Sequence, residues 1–196
     1  AALTGRDVPL LTGISDRTAL MNRLYGIRQV IVAPFAQMQG MDWRDFVADY
    51  LKKRHHAVHV VAGHDFHFGY RGEGNPQRLT EKCRELGMGC DVIPKVEIDG
   101  VTVSSTYIRT LVAEGDMERA RRFLGHPHTL SGPVVHGSGL GRTLGTPTAN
   151  LLAPEGAIAP GFGVYASRVV LPGGETRLAV TNVGVRPTVT DNDGRV

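Results

Sequence analysis

The sequence predicts a two-part fold: an α/β domain built on a parallel sheet, followed by a smaller β-rich domain. Apolar runs typical of strands alternate with helical patterns through the first part of the 196-residue chain, as in parallel-sheet domains. After residue 130 the pattern changes to short β-rich segments punctuated by glycine and proline. The tripeptide 125–127 (GHP) breaks the last helix between the two patterns. We therefore predict domains at residues 1–125 and 128–196, the second a small antiparallel barrel or sandwich.

Capping residues and apolar periodicity place the elements of the first domain. Helices are predicted at residues 15–25, 42–54, 75–86, 107–113 and 116–124. Strands are predicted from continuous apolar runs at residues 30–35, 58–62 and 90–94, the composition expected of strands covered on both faces. In the second domain, strands are predicted at residues 134–135, 163–171 and 175–180. A turn is expected at residues 172–174 (PGG).

Bulk composition narrows the class of protein. Hydrophobic residues make up 41% and charged residues 21% of the chain, values typical of a globular domain. The net charge of +3 suits a protein that handles anions, but no basic stripe with interleaved aromatic residues predicts a nucleic-acid partner. Two cysteines without metal spacing favour a reducing, cytoplasmic compartment. We expect no membrane partner, because no apolar run is long enough to span a bilayer.

The most informative stretch is residues 131–150 (SGPVVHGSGLGRTLGTPTAN). Glycine lets a backbone approach a ligand closely, and successive N–H groups in such a loop make an anion site suited to phosphate. The glycines concerned are Gly137, Gly139, Gly141 and Gly145. Thr148 and Asn150, two residues apart, offer hard oxygen ligands of the type that Mg²⁺ prefers. Spacing alone leaves open a glycine-rich hairpin in which Pro147 only ends a strand.

A second candidate site is the loop 63–69 (GHDFHFG), which directly follows the predicted strand 58–62. Ligands of open α/β sheets bind where strands end in loops. Phe66 and Phe68 offer flat apolar faces, and Asp65 a carboxylate, which are suitable groups for holding an aromatic ring with polar edges. The alternative is an ordinary loop whose phenylalanines pack into the core.

A third candidate is the segment 104–109 (SSTYIR) at the start of a predicted helix. Hydroxyl and free N–H groups at a helix N-terminus bind anions, and Arg109 adds a bidentate phosphate donor. The alternative is a plain helix cap beside a solvent-exposed arginine.

Together these motifs resemble one family. Residues 131–150 and 181–188 (TNVGVRPT) resemble the riboflavin kinase half of the bifunctional prokaryotic riboflavin kinase/FMN adenylyltransferases, also called bacterial FAD synthetases. The segments 63–69 and 104–109 similarly resemble the adenylyltransferase half. The resemblance implies a nucleotidyltransferase-like α/β domain followed by an antiparallel β-barrel. It also implies ATP, riboflavin and FMN as substrates and Mg²⁺ as cofactor.

The resemblance also assigns roles to residues. It implies that Thr148 and Asn150 hold Mg²⁺ with the nucleotide. Nucleotide-binding residues are then Ser104, Ser105, Thr106, Arg109, Gly137, Gly139, Gly141, Thr148 and Asn150. Flavin-binding residues are Gly63, Asp65, Phe66, Phe68 and Gly69.

The sequence departs from the family pattern at three points. It has no HxGH motif, whose imidazoles stabilise the transferring phosphate in the family, and its nearby histidines have another spacing: His55, His56, His59 and His64. The family's kinase glutamate is also missing, since none of Glu155, Asp191 and Asp193 occupies the motif position. Thr146 stands where the family often has a larger apolar residue.

From the missing groups we expect a chain incomplete at both ends, whose 196 residues alone make no FAD. The catalytic residues are accordingly unassigned. Two other functions stay open. One is a flavin- or nucleotide-binding chain without catalysis; the other, a basic nucleic-acid-binding protein, rests on net charge alone.

Overall fold

The computed structural model describes residues 8–136, 145 and 148–184, which form two compact units. One unit is Gln29–Val103, and the other comprises the described parts of Leu3–Arg28 and Ser104–Val196. Hydrogen bonds within the second unit join segments far apart in sequence: Leu10 N donates to Gly156 O at 2.7 Å. The predicted domain division, 1–125 and 128–196, is not tested by this grouping and stays a prediction.

Apart from the strand predicted at residues 30–35, the predicted elements form in the predicted order. The helices are α1 (Ile14–Tyr25), α2 (Phe35–Met38), α3 (Trp43–Asp45), α4 (Pro76–Glu85), α5 (Ser105–Glu114) and α6 (Met117–Leu124). A π-helix (Phe46–Arg54) continues α3, and Tyr70–Gly72 forms a 3₁₀ turn. The strands are β1 (His59–Gly63), β2 (Gly89–Ile93), β3 (Glu97–Ile98), β4 (Val101–Thr102), β5 (Val134–Val135), β6 (Asn150–Leu151), β7 (Gly163–Val170) and β8 (Thr176–Val183).

The unit Gln29–Val103 is built on a parallel sheet, as predicted. Strands β1 and β2 pair in parallel from His59↔Gly89 to Gly63↔Ile93. Helix α4 connects them and is capped by Asn75, whose side chain accepts a hydrogen bond from Arg78 N at 2.9 Å. The core contains Phe46, Val47, Ala62, Phe68, Leu79, Cys83 and Met88. Burial, with neighbouring Cys90 as a lesser cause, raises the pKa of the Cys83 thiol to about 11.

Two predictions for this unit need correction. Residues 30–35 form no strand, and α2 begins at Phe35. A β-strand forms only when its backbone N–H and C=O groups pair with those of a neighbouring strand. No strand in the described residues pairs with residues 30–35. The side chains of Ile31 and Val32 in this segment are exposed. The helix predicted at residues 42–54 forms, but most of it is a π-helix, which ends with His55 N donating to Tyr50 O five residues back.

The second unit contains antiparallel strand pairs, in agreement with the predicted β-rich domain. Strands β7 and β8 form a hairpin from Gly163↔Val183 to Val170↔Thr176, around the predicted turn at residues 172–174. Strands β5 and β6 form a second, short antiparallel pair. Within residues 8–136 and 148–184 every sheet has two strands, so the described strands do not close a barrel.

The hairpin packs on the end of α5. Gly161 N donates to Val112 O at 2.9 Å, and a Cβ at Gly161 would lie 2.5 Å from Ala113 O. At Gly115, which ends α5 in the left-handed conformation, a Cβ would lie 2.5 Å from the Tyr165 hydroxyl. The contact therefore requires glycine at both positions.

A histidine in the second unit should make its stability depend on pH. Burial is the main cause that lowers the pKa of His128 below 6.5, and His126 adds to it, while the Leu11 backbone and Asp16 act in the opposite direction. The unfolded chain then binds the proton more readily as pH falls. We expect the free energy of unfolding to be fully retained above pH 6.5 and to fall below it, by at most about 1.4 kcal/mol per pH unit.

Urea unfolding between pH 8 and pH 5 measures this dependence. His128→Gln should flatten the curve in this range, whereas His136→Gln, at an exposed position of the same unit, should leave it unchanged. A His128→Gln curve with the wild-type slope would contradict the assignment.

Candidate functional site

The loop 63–69 lies at the C-terminal edge of the parallel sheet, directly after β1. Its first turn is closed by Phe66 N donating to Gly63 O at 3.1 Å, and it leaves Asp65 exposed. His67 Nδ1 lies 2.9 Å from Asp65 O. Because the loop follows the C-terminal end of β1, Asp65 lies where ligands of parallel sheets bind.

The two phenylalanines of the loop differ in burial. Phe68 is a core residue, 6% exposed, and packs on Phe46 with ring centroids 5.1 Å apart. Phe66 is half-buried and stacks on Phe68 at 5.2 Å, with an interplanar angle of 18°. Phe68 therefore supports the ring of Phe66, and Phe66 has the more accessible face. Flavin binding by either ring stays a prediction.

The end of the loop is held against α3. Gly69 has a φ of 75°, and a Cβ there would lie 2.7 Å from Cα of Trp43. Phe68 and Gly74 exchange two backbone hydrogen bonds, of 3.2 and 2.8 Å, on the other side. The role of Trp43 could not be predicted from the sequence, because nothing local to this residue indicates that its backbone meets a glycine in a distant loop.

The segment 104–109 forms the first turn of α5. Ser104 caps the helix and accepts a hydrogen bond from Tyr107 N at 3.2 Å. Ser105 and Thr106 are exposed on this turn, which begins two residues before the helix start predicted at residue 107. Arg109 Nε donates to Pro9 O at 2.7 Å, so a backbone carbonyl fixes the arginine at the same end of the helix. The turn presents hydroxyl groups, N–H groups and a guanidinium, which together can bind a phosphate.

Of the glycine-rich stretch, the structure describes only part. Gly137, Gly139 and Gly141 lie outside the described residues. Thr148 is exposed, and Asn150 is half-buried at the start of β6, where it pairs with Val135. Within residues 8–136, 145 and 148–184, no hydrogen bond joins either side chain to another residue. These donors fit Mg²⁺ as hard oxygen ligands.

Clustered metal ligands and membrane spans are not found in the described residues. Across these ranges, no group of three or more histidine, cysteine, aspartate or glutamate side chains could hold a metal ion. In the same part of the chain, no helix combines the length and apolar character needed to cross a bilayer.

Comparison with protein families gives two matches. Residues 2–107 match the model of FAD synthetase, and residues 124–196 match the model of riboflavin kinase. Because the first match covers more than half of the chain, the chain belongs to the FAD synthetase family. It carries the two kinds of domain that the bifunctional riboflavin kinase/FMN adenylyltransferases combine.

Comparison with individual proteins gives relatives of the same family. The bifunctional riboflavin kinase/FMN adenylyltransferase of Listeria monocytogenes is 35% identical over 188 residues, which are 95% of this chain and 59% of the relative. That of Bacillus subtilis is 33% identical over 188 residues, 94% of this chain and 58% of the relative. That of Escherichia coli K12 is 38% identical over 146 residues, 74% of this chain and 46% of the relative. The chain thus spans about half the length of these relatives.

A solved structure is also similar. It is described as the crystal structure of a macrolide-efflux protein from Streptococcus pneumoniae, and it aligns with a TM-score of 0.69 and 27% sequence identity. The alignment covers 91% of this chain and 63% of that chain. The description applies to that protein, and the likeness supports the fold described above.

Proposed function

We propose that this chain is part of an enzyme of FAD biosynthesis that acts in two ATP-dependent steps. In the first, the 5′-hydroxyl oxygen of riboflavin attacks the γ-phosphorus of ATP, and ADP leaves. In the second, a phosphate oxygen of FMN attacks the α-phosphorus of a second ATP, and pyrophosphate leaves. The observation that carries this proposal is the pair of family matches on successive parts of one chain, residues 2–107 and 124–196.

The adenylyltransferase step is assigned to the first domain. The exposed first turn of α5, with Ser104, Ser105, Thr106 and Arg109, would hold the nucleotide phosphates. The loop 63–69 would hold FMN, with Phe66 against the isoalloxazine ring and Asp65 toward its polar edge. Support comes from the position of the loop at the strand ends and from the accessible face of Phe66.

The kinase step is assigned to the second domain, which we propose to be a small antiparallel barrel that includes the pairs β5–β6 and β7–β8. Thr148 and Asn150 would hold Mg²⁺, which neutralises the phosphate charge of ATP. Gly137, Gly139 and Gly141 would approach the phosphates through their backbone N–H groups. The two free cysteines support a cytoplasmic location.

The reaction is tested with the product of the complete reading frame. Riboflavin, ATP and Mg²⁺ should give FMN and then FAD, both measurable by chromatography with fluorescence detection. Binding of flavin or nucleotide without either product would support the alternative, a chain that binds these ligands without catalysis. Absence of binding and product would contradict both.

Phe66→Ala tests the flavin contact in the first domain. We expect FMN binding at the adenylyltransferase site to weaken by roughly 1–3 kcal/mol, because the ring contributes buried apolar area to the ligand. The dependence of the adenylylation rate on FMN concentration measures the change, because only the adenylyltransferase site carries out that reaction. Tyr70→Ala is the matched control, since Tyr70 is an exposed aromatic residue one position beyond the loop. If a folded Phe66→Ala variant bound FMN with unchanged affinity, the ring of Phe66 would serve only in packing.

A further inference from the structure

A cavity in the unit Gln29–Val103 lies beside the end of the π-helix, and none of the residues assigned above lines it. Its volume is about 100 Å³. Its apolar wall is formed by residues 31–34 with Met38 and Met41. Its remaining lining includes Tyr50, Arg54 and His55. We call it the His55 cavity.

We propose that the His55 cavity is a second ligand site, and that it binds a small organic carboxylate with an apolar body. The proposal is independent of FAD biosynthesis, since it uses none of the residues assigned to the flavin or the nucleotide.

The first argument is an unsatisfied polar atom. Nε2 of His55 is shielded from solvent and has no hydrogen-bond partner among the described residues. The imidazole packs edge-on against Tyr50, with ring centroids 4.7 Å apart and ring planes at 70°. Buried polar atoms normally have a partner, because a buried polar atom that loses its hydrogen bonds to water without replacing them destabilises the fold. Because His55 lines the cavity, a turn of its ring toward a ligand oxygen there would give this atom a partner.

The second argument is an uncommitted positive charge. Arg54 lies over the Tyr50 ring, 5.5 Å from its centroid, and no described carboxylate pairs with it. The two preceding cations are engaged elsewhere: Lys53 pairs with Asp49, and Lys52 donates to the Leu86 carbonyl. Arg54 can therefore pair with an anion in this cavity. Its planar guanidinium can donate two parallel hydrogen bonds to a carboxylate.

The third argument is the shape and character of the rest of the cavity. Much of the lining is apolar, and Ile31 and Val32 at its edge are 53% and 59% exposed. A ligand body placed there would cover apolar surface that now faces water. An engineered cavity of roughly 150 Å³ accepts benzene, so about 100 Å³ fits a body of three to five carbon atoms.

Isobutyrate is a suitable probe, and isobutyramide is its neutral counterpart of the same shape. We expect the 196-residue chain to bind isobutyrate with a Kd on the order of 1 mM, as befits a ligand of six heavy atoms. Isobutyramide should bind at least about tenfold more weakly, because it lacks the charge that Arg54 recognises. Chemical-shift titration by NMR measures both affinities.

Two variants locate the site. His55→Phe keeps an aromatic ring against Tyr50 and removes the nitrogen, and Arg54→Gln removes the charge at an exposed position. Each should weaken isobutyrate binding by about tenfold or more. Lys53→Gln is the matched control: it makes the same change of charge one residue earlier, at a lysine engaged by Asp49, and should leave the affinity unchanged.

Saturable binding that prefers isobutyrate and is lost in Arg54→Gln supports the site, even if His55→Phe proves too unstable to measure. No saturation at about ten times the expected Kd, equal binding of the amide, or full affinity in Arg54→Gln would each overturn it.

Discussion

Replacing Thr148 or Asn150 by alanine should lower phosphorylation of riboflavin on the order of 10²-fold in the product of the complete reading frame. Each change removes a hard oxygen that would hold Mg²⁺ against the ATP phosphates. Phosphoryl transfer depends mostly on positioning and charge neutralisation, so loss of either oxygen should act on kcat more than on folding. Adenylylation of supplied FMN should continue, because we assign that step to the first domain.

Thr148→Ser is the conservative control, since it keeps the hydroxyl and should retain most of the kinase activity. Both activities and the melting temperature are measured for each variant. A structural role predicts a different result: lower stability, with the kinase defect following unfolding. Equal loss of both activities, or full kinase activity in a stable Thr148→Ala variant, would refute the assignment.

The second large effect is expected at Gly69. In Gly69→Ala the new methyl group would lie 2.7 Å from Cα of Trp43, on a residue with a φ of 75°. Overpacking against backbone and a left-handed non-glycine residue should together cost roughly 2–4 kcal/mol of unfolding free energy. The collision should also displace the loop 63–69, and we therefore expect the affinity for FMN to fall.

Gly87→Ala separates the two causes. Gly87 has a φ of 66°, and a methyl group added there would meet no atom within 4 Å, so this variant carries the backbone strain without the collision. We expect a loss of about 1 kcal/mol there. Denaturant unfolding of both variants gives the comparison, and equal losses would show that the Trp43 contact adds nothing.

Features that depend on neighbours in sequence could be predicted. Asn75 and Ser104 cap helices through side-chain oxygens that accept from a nearby backbone N–H, and Gly26 and Gly115 end helices in the left-handed conformation. The position of the loop 63–69 was also predictable, because a loop after a parallel strand must lie at the sheet edge.

Features that depend on distant partners could not be predicted. The apolar composition of residues 30–35 indicates a buried segment or a strand. It does not show which neighbouring strand would pair with the backbone of this segment. Phe68 is buried because Phe46 and Gly74 surround it, and the composition of its loop left both binding and packing open. Asp16, a buried carboxylate, accepts a hydrogen bond from Ser131 N, a partner 115 residues away that no local pattern reveals.

The contact between α5 and the β7–β8 hairpin limits how this protein can be divided for expression. A cut near residues 126 and 127 follows the sequence pattern, yet it would remove Gly161 N, one of the two backbone donors to the Val112 carbonyl. It would also remove Tyr165 from its contact with Gly115. The same cut would separate the Asp16 carboxylate from Ser131. Each fragment would expose backbone and side-chain groups that contact each other in the intact chain, so rates measured on an isolated half would not be those of the intact protein.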